Sequence, residues 1–197
     1  MPGMRRIGRT CGALVAAMCV LGAAYPASGA GMTPTHSVLH YGDSLAVGTG
    51  LFLPHYLRGW TIRQSTSVSL HADAGSRTLA SSALPHVVVI SLGTNDDPGA
   101  VTAFAHDVRA VIRAAGPERC VIWSTVVRPP YNGVSYDGYN NVLRRAARNY
   151  ESFHVFDWQA LARTHPQWFG SDGVHPSMGG YRARAAALAR LIRACPS

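Results

Sequence analysis

Four short segments, far apart in a 197-residue chain, hold residue types that together suit acyl transfer. Gly42-Asp43-Ser44-Leu45 supplies a hydroxyl, Asp73-Ala74-Gly75-Ser76 a glycine, and Gly93-Thr94-Asn95-Asp96 an amide. Asp172-Gly173-Val174-His175-Pro176 supplies an imidazole with a carboxylate three residues before it. A serine hydroxyl is a weak nucleophile at neutral pH and needs a base to take its proton. His175 fits that task, and its second ring nitrogen needs an acceptor that fixes the tautomer and stabilises the imidazolium. Asp172 can turn back to be that acceptor, because Gly173 permits unusual backbone angles and Pro176 biases His175 away from helix. The oxyanion formed when Ser44 attacks an ester carbonyl needs preorganised donors. The Ser44 backbone N–H, the Gly75 N–H and the Asn95 side-chain amide are the candidates. Each piece also has a plainer reading. Ser44 can cap a helix, Asp43 can accept backbone bonds in its own turn, and Asn95-Asp96 or Asp73-Ala74-Gly75 can be ordinary turns.

Such residues meet only if the fold brings the segments together. Residues 36–41, 87–92 and 120–127 are runs rich in Val and Ile, apolar enough to be strands buried on both faces. Residues 153–158 are a shorter version, and the more polar 61–68 read as an edge strand. Helical spacing lies between them. Val101, Phe104, Ala105, Val108, Ile112 and Ala115 share a face that ends at Gly116-Pro117. Tyr139, Val142, Leu143, Ala146, Ala147 and Tyr150 repeat the pattern, with Arg144, Arg145 and Arg148 on the wet side. Ser177 can cap a last helix striped by Tyr181, Ala185, Leu188, Ile192 and Cys195, and residues 45–57 read as a first helix loosened by Gly48 and Gly50. Strands separated by helices imply a parallel sheet covered on both faces, with ligands outside the carboxyl ends of the strands. All four segments follow strands, so they converge on that edge.

In this order the four segments resemble the sequence blocks of the GDSL, or SGNH, hydrolases, and the resemblance spans nearly the whole chain beyond residue 30. It implies an α/β fold, a flavodoxin-like three-layer α/β/α sandwich around a five-stranded parallel sheet, and ester hydrolysis through an acyl-enzyme. It implies Ser44 as nucleophile, His175 as base and Asp172 as its partner, with Gly75 and Asn95 completing the oxyanion hole. It implies no metal and no organic cofactor.

Composition narrows the partners. At 47% hydrophobic and 14% charged residues, the chain can bury the core of a single domain. A net charge of +8 suggests an acidic partner such as nucleic acid. Yet all 18 basic residues are arginine, a uniform bias that a GC-rich genome explains. Arg5, Arg6 and Arg9 precede an apolar run over 11–24 and the small residues Ser28-Gly29-Ala30. That order reads as a secretory signal over 1–30, or else as an uncleaved anchor, although a span needs about 20 apolar residues. The remaining domain, 31–197, holds 15 arginines against 10 acids, a modest +5, with no nucleic-acid partner and no stable membrane anchor expected.

Secretion leaves Cys120 and Cys195 as an even pair, bridged or as two small buried thiols. Topology permits the bridge. Cys120 starts a strand at the amino-terminal edge, and the last helix runs back to that edge from His175. Residues 128–136 mix a cation, aromatics and flexible positions, either a wall for a polar leaving group such as a sugar or a solvated loop. Trp168-Phe169 reads as packing. With no insertion long enough for a large lid, the chain reads as a secreted serine esterase for short acyl esters on small-molecule or carbohydrate-linked substrates. A lipase or lysophospholipase-like enzyme for longer chains, and a catalytically silent carbohydrate-binding protein, are the alternatives.

Overall fold

Five short strands pair side by side in the order β2-β1-β3-β4-β5, all parallel. A computed structural model describes residues 36–196; the secretory signal expected over 1–30 lies outside them. The strands are β1 (Ser37–Gly42), β2 (Thr61–Thr66), β3 (Val87–Ser91), β4 (Cys120–Ser124) and β5 (Phe153–Phe156). The polar run of β2 takes an edge, as its mostly exposed side chains require.

Successive side chains of a strand point to opposite faces, so each buried strand feeds two cores. Val88 and Ile90 join Val121 and Trp123 on one face, where α3 (Ala72–Ala80), α4 (Val101–Ala115) and α5 (Asp137–Asn149) add Leu79, Phe104 and Tyr139. Val87 and Val89 join Val38 and Ile122 on the other. There α2 (Leu53–Tyr56), α6 (Trp158–Arg163) and α7 (Met178–Ala194) add Leu53, Trp158 and Leu188. The first helix, α1 (Ser44–Gly50), packs on α7. The result is a three-layer α/β/α sandwich with the flavodoxin strand order.

Two local expectations need correction. Residues 45–57 form two helices rather than one, broken at Leu51 and Phe52 ahead of Pro54. Residues 72–80, whose start read as a turn, form helix α3. Its amino-terminal residue Ala72 is capped from a distance by Asp96, whose two oxygens accept its N–H at 3.1 and 3.0 Å. A cap 24 residues away leaves no local signature.

Cys120 and Cys195 are bonded, their Cα atoms 5.9 Å apart, where α7 returns to the amino-terminal edge. The bridge closes a loop with a sequence separation of 75. Converting both cysteines to serine therefore costs about 4 kcal/mol in urea unfolding, from the freedom restored to the unfolded chain. Ester turnover at 25 °C should persist in the folded fraction, because the bridge lies at the opposite edge from Ser44.

Candidate active site

β1 ends at Gly42, with φ +150°, where a Cβ would stand 2.1 Å from the Ser91 carbonyl oxygen. Only glycine lets the chain leave the sheet so close to β3. The Asp43 N–H donates to the same oxygen at 3.0 Å, and Asp43 Oδ1 then accepts from the Leu45 N–H at 3.0 Å. Asp43, not Ser44, is therefore the cap of α1. Ser44 opens the helix, and its backbone N–H has no acceptor among the described residues.

The imidazole arrives from the far end of the chain. Gly173, at φ +63°, bends the turn so that Asp172 faces back along it. Asp172 Oδ1 accepts from the backbone N–H groups of Val174 at 2.9 Å and His175 at 3.0 Å, while Oδ2 meets His175 Nδ1 at 2.7 Å. These donors, the Val174 N–H foremost, hold the Asp172 carboxyl down at about 2. An ionised carboxylate only accepts, so Nδ1 carries the ring proton and Nε2 presents its lone pair. Ser44 Oγ stands 2.9 Å from that nitrogen. Both partners of this turn remain open to solvent, with 48% and 52% of the His175 and Asp172 side chains exposed.

The amide and the glycine fare differently. Asn95 Nδ2 donates one hydrogen to the Leu70 carbonyl at 3.2 Å, which leaves its second free. Asp96 beside it holds α3, accepting from the Ala72 N–H and meeting His71 Nδ1 at 3.1 Å. Gly75 is not a free donor: it lies inside α3, where its N–H donates to the His71 carbonyl at 3.0 Å. Its lack of a side chain serves packing, since a Cβ there would meet Leu92 Cδ1 at 2.6 Å and Tyr41 Cε1 at 3.2 Å. Free backbone donors lie instead in the loop before α3. The Ser67 N–H donates to the Gly42 carbonyl at 2.9 Å, and Leu70 holds Asn95, so residues 67–70 lie between the Ser44 turn and the amide. Ser69 takes a left-handed φ of +59°, and the N–H groups of Val68 and Ser69 have no acceptor among the described residues. This stretch contains no glycine, so its sequence carries no mark of the turn.

Beneath the site lies a polar cluster that periodicity did not reveal. His40 on β1 is fully buried with neither ring nitrogen hydrogen-bonded, and burial drives its pKa down to about 3, with the charge of Arg184 adding to the effect. Burial pushes the Asp43 carboxyl the other way, up to about 6. Arg184 on α7 is 1% exposed and donates to Thr49, Ser91 and Ser124.

A cavity of about 310 Å³ opens beside the imidazole, lined by Asn95, Arg128, Pro129, Tyr131, Val174 and His175 among others. Its wall is preset. Buried Asn140 on α5 accepts from the Val126 N–H at 2.7 Å and donates to the Val126 carbonyl at 2.9 Å, while Arg128 Nη1 donates to the Thr94 carbonyl at 2.6 Å. A larger cavity of about 800 Å³ lies by Cys120 and Pro196, at the amino-terminal edge, and contains none of these groups. Trp168 and Phe169 lie against Trp158, with ring centroids 5.9 and 5.8 Å apart, as packing residues.

A three-layer α/β/α sandwich that carries serine, imidazole and carboxylate in line at the carboxyl edge of its sheet has the architecture of a serine hydrolase. The chain belongs to the GDSL-like lipase/acylhydrolase family, whose model matches residues 27–183, and it is accordingly an ester-cleaving acylhydrolase. No curated protein matches it. Among solved structures it is similar to the catalytic domain of peptidoglycan O-acetyltransferase A from Streptococcus pneumoniae, with 22% identity and a TM-score of 0.64 over 81% of this chain and 91% of that one. It is also similar to a lipase/acylhydrolase from Enterococcus faecalis, with 21% identity and a TM-score of 0.61 over 81% and 95% of the two chains. The esterase EstA from Pseudoalteromonas sp. matches at 14% identity with a TM-score of 0.61, over 81% and 97%.

Two substitutions separate packing and electrostatics from chemistry. Gly75→Ala should cost about 1 kcal/mol in urea unfolding by crowding Leu92, yet leave kcat/KM within a few-fold of wild type. His40→Leu should change the pH dependence of stability. The folded pKa of His40 lies below its unfolded value, so the unfolded chain binds the extra proton and wild type loses stability as pH falls from about 6.5 toward 3. The leucine variant lacks that loss. Its advantage over wild type should widen by about 1.4 kcal/mol per pH unit below pH 6, read by urea melts.

Proposed function

We propose that the protein is a secreted serine esterase that removes short acyl groups from polar alcohols. Ser44 is the nucleophile, His175 the base and Asp172 the group that orients it. The observation that carries this reading is the line from Ser44 Oγ through the imidazole to Asp172, with contacts of 2.9 and 2.7 Å, beside an open cavity of about 310 Å³.

The steps follow from those positions. His175 Nε2 takes the hydroxyl proton as Ser44 Oγ bonds to the ester carbonyl carbon, and the carbonyl oxygen becomes an oxyanion. The free N–H of Ser44 and the second amide hydrogen of Asn95 are its donors, and the Ser69 N–H takes the role that Gly75 cannot. Collapse expels the alcohol oxygen, which receives the proton from His175. Water then repeats the sequence on the acyl-enzyme and frees the acid.

The size of the cavity favours a short acyl group. A fixed guanidinium and Tyr131 in its wall favour a polar alcohol, and carbohydrate suits both. Acylated carbohydrate also fits the peptidoglycan O-acetyltransferase that shares the fold, as its name describes it. Export is supported by the order of charged, apolar and small residues over 1–30 and by the Cys120–Cys195 bond, since such bonds persist in oxidising compartments.

A panel of p-nitrophenyl esters from acetyl to palmitoyl, with acetylated sugars, tests the reading. Turnover should be greatest for the shortest chains, and Ser44→Ala should lower kcat by about 10³-fold or more. Activity that rises through the long chains would replace this reading with a lipase. A folded protein that a fluorophosphonate probe fails to label at pH 8 would replace it with a silent binding protein.

A further inference from the structure

The hydrolytic steps make no use of a buried cation that lies beneath the site. Arg184 lies on α7 with 1% of its surface exposed, and among the described residues no carboxylate forms an ion pair with it. Its partners are three hydroxyls on three different elements. Nη1 donates to Thr49 Oγ1 on α1 at 2.6 Å, and Nη2 donates to Ser91 Oγ at the end of β3 at 3.1 Å and to Ser124 Oγ at the end of β4 at 2.9 Å. Its guanidinium carbon stands 5.5 and 5.4 Å from the ring centroids of Phe156 and Trp158.

Each contact leads to a part of the site. Thr49 Oγ1 passes a hydrogen bond on to the Leu45 carbonyl at 2.6 Å, one residue from Ser44. Ser91 accepts the Asp43 N–H on its backbone oxygen and stands four residues before Asn95. Ser124 stands four residues before Arg128 in the cavity wall, and Arg184 itself sits two turns into the helix that follows His175. No described carboxylate lies within ion-pairing distance, although Asp43 acts on the guanidinium through space, and a charge buried at this depth is weak evidence for stability alone. A guanidinium is suited to something else, because its planar fork fixes the directions of several acceptors at once.

We propose that Arg184 is a positioning residue for the esterase: it sets the nucleophile helix against the strand ends that carry Asn95 and the cavity wall. The proposal rests on Ser44 being the nucleophile. Its line of action is the chain Arg184–Thr49–Leu45, which fixes the approach of Ser44 Oγ to His175 without touching substrate.

The test compares Arg184→Met, Arg184→Lys and Thr49→Val, each alone, and the Met and Val changes together, with p-nitrophenyl acetate as substrate. Arg184→Met should keep KM within about threefold and lose kcat by about 10- to 100-fold in its folded fraction. Arg184→Lys, which keeps the charge but not the fork, should recover part of that loss. Thr49→Val should lower kcat alone, yet add little in the Arg184→Met background, because both cut one chain. A stable Arg184→Met enzyme with undiminished kcat overturns the proposal. So do kcat losses in Arg184→Met and Thr49→Val that simply multiply in the double variant. Should Arg184→Met fail to fold, Thr49→Val with unchanged kcat overturns it as well. A wild type inert toward every ester, by contrast, removes the serine-esterase reading, and the positioning role falls with it.

Discussion

One positive charge has to be accommodated at the centre of the molecule, and the carboxyl edge of the sheet is arranged around it. Arg184 has no carboxylate in contact, so its solvation is replaced by three hydroxyls and two aromatic faces. Those hydroxyls come from α1, β3 and β4, and the guanidinium ties their side chains together. The same burial acts on its neighbours with opposite sign, lowering the pKa of His40 and raising that of Asp43. Arg184 works against burial at Asp43 and with it at His40, so a single guanidinium favours a neutral imidazole and an anionic cap beneath Ser44. Asp43 in turn fixes the first turn of α1 through the Leu45 N–H.

The acid–base half of the site is organised on different terms. Asp172 receives both backbone bonds from residues two and three positions ahead, and the imidazole it holds belongs to the same turn. That geometry is local and open to solvent, so it makes few demands on the core. The serine half is the reverse: its hydroxyl direction depends on Gly42 passing within reach of Ser91, on the loop 67–70, and on α1 lying against α7. An exposed, self-sufficient turn meets a buried, interdependent one. Water can reach the imidazole, while the Ser44 turn is held by the elements packed around it.

This division explains what could be read from the chain. The spacing Asp172-x-x-His175 was legible because its bonds close within four residues, and helix 101–115 because its apolar stripe is unbroken. The buried strands follow from equally regular patterns, whereas topology only permitted the Cys120–Cys195 bond that the structure contains. Gly75 reads as part of a turn, yet it lies inside α3, because that helix is capped by Asp96 from another strand end and its first turn has no local mark. Buried polar residues are hidden from periodicity for a related reason: Thr49, Ser91 and Ser124 read as interruptions of apolar segments, and only the guanidinium makes them a set. One signal was present. Arg184 falls three residues after Tyr181 and four before Leu188, on the apolar stripe of α7, where a charge needs a reason to be.

The structure also bears on why one relay can serve different acyl transfers. In the reading developed above, Ser44, His175 and Asp172 build an acyl-enzyme and then activate whatever oxygen nucleophile stands at Nε2; nothing in that relay distinguishes water from an alcohol. Discrimination must come from the wall over the cavity. An alcohol competes with water at about 55 M only if binding gives it a high local concentration and the right approach. Here the wall is Arg128 to Tyr131, tied down by Asn140 and Thr94, and the imidazole remains half open to bulk water. On the proposed reading a polar alcohol would meet a guanidinium and a tyrosine there, with the imidazole beside them open to water, an arrangement that suits hydrolysis of the acyl-enzyme.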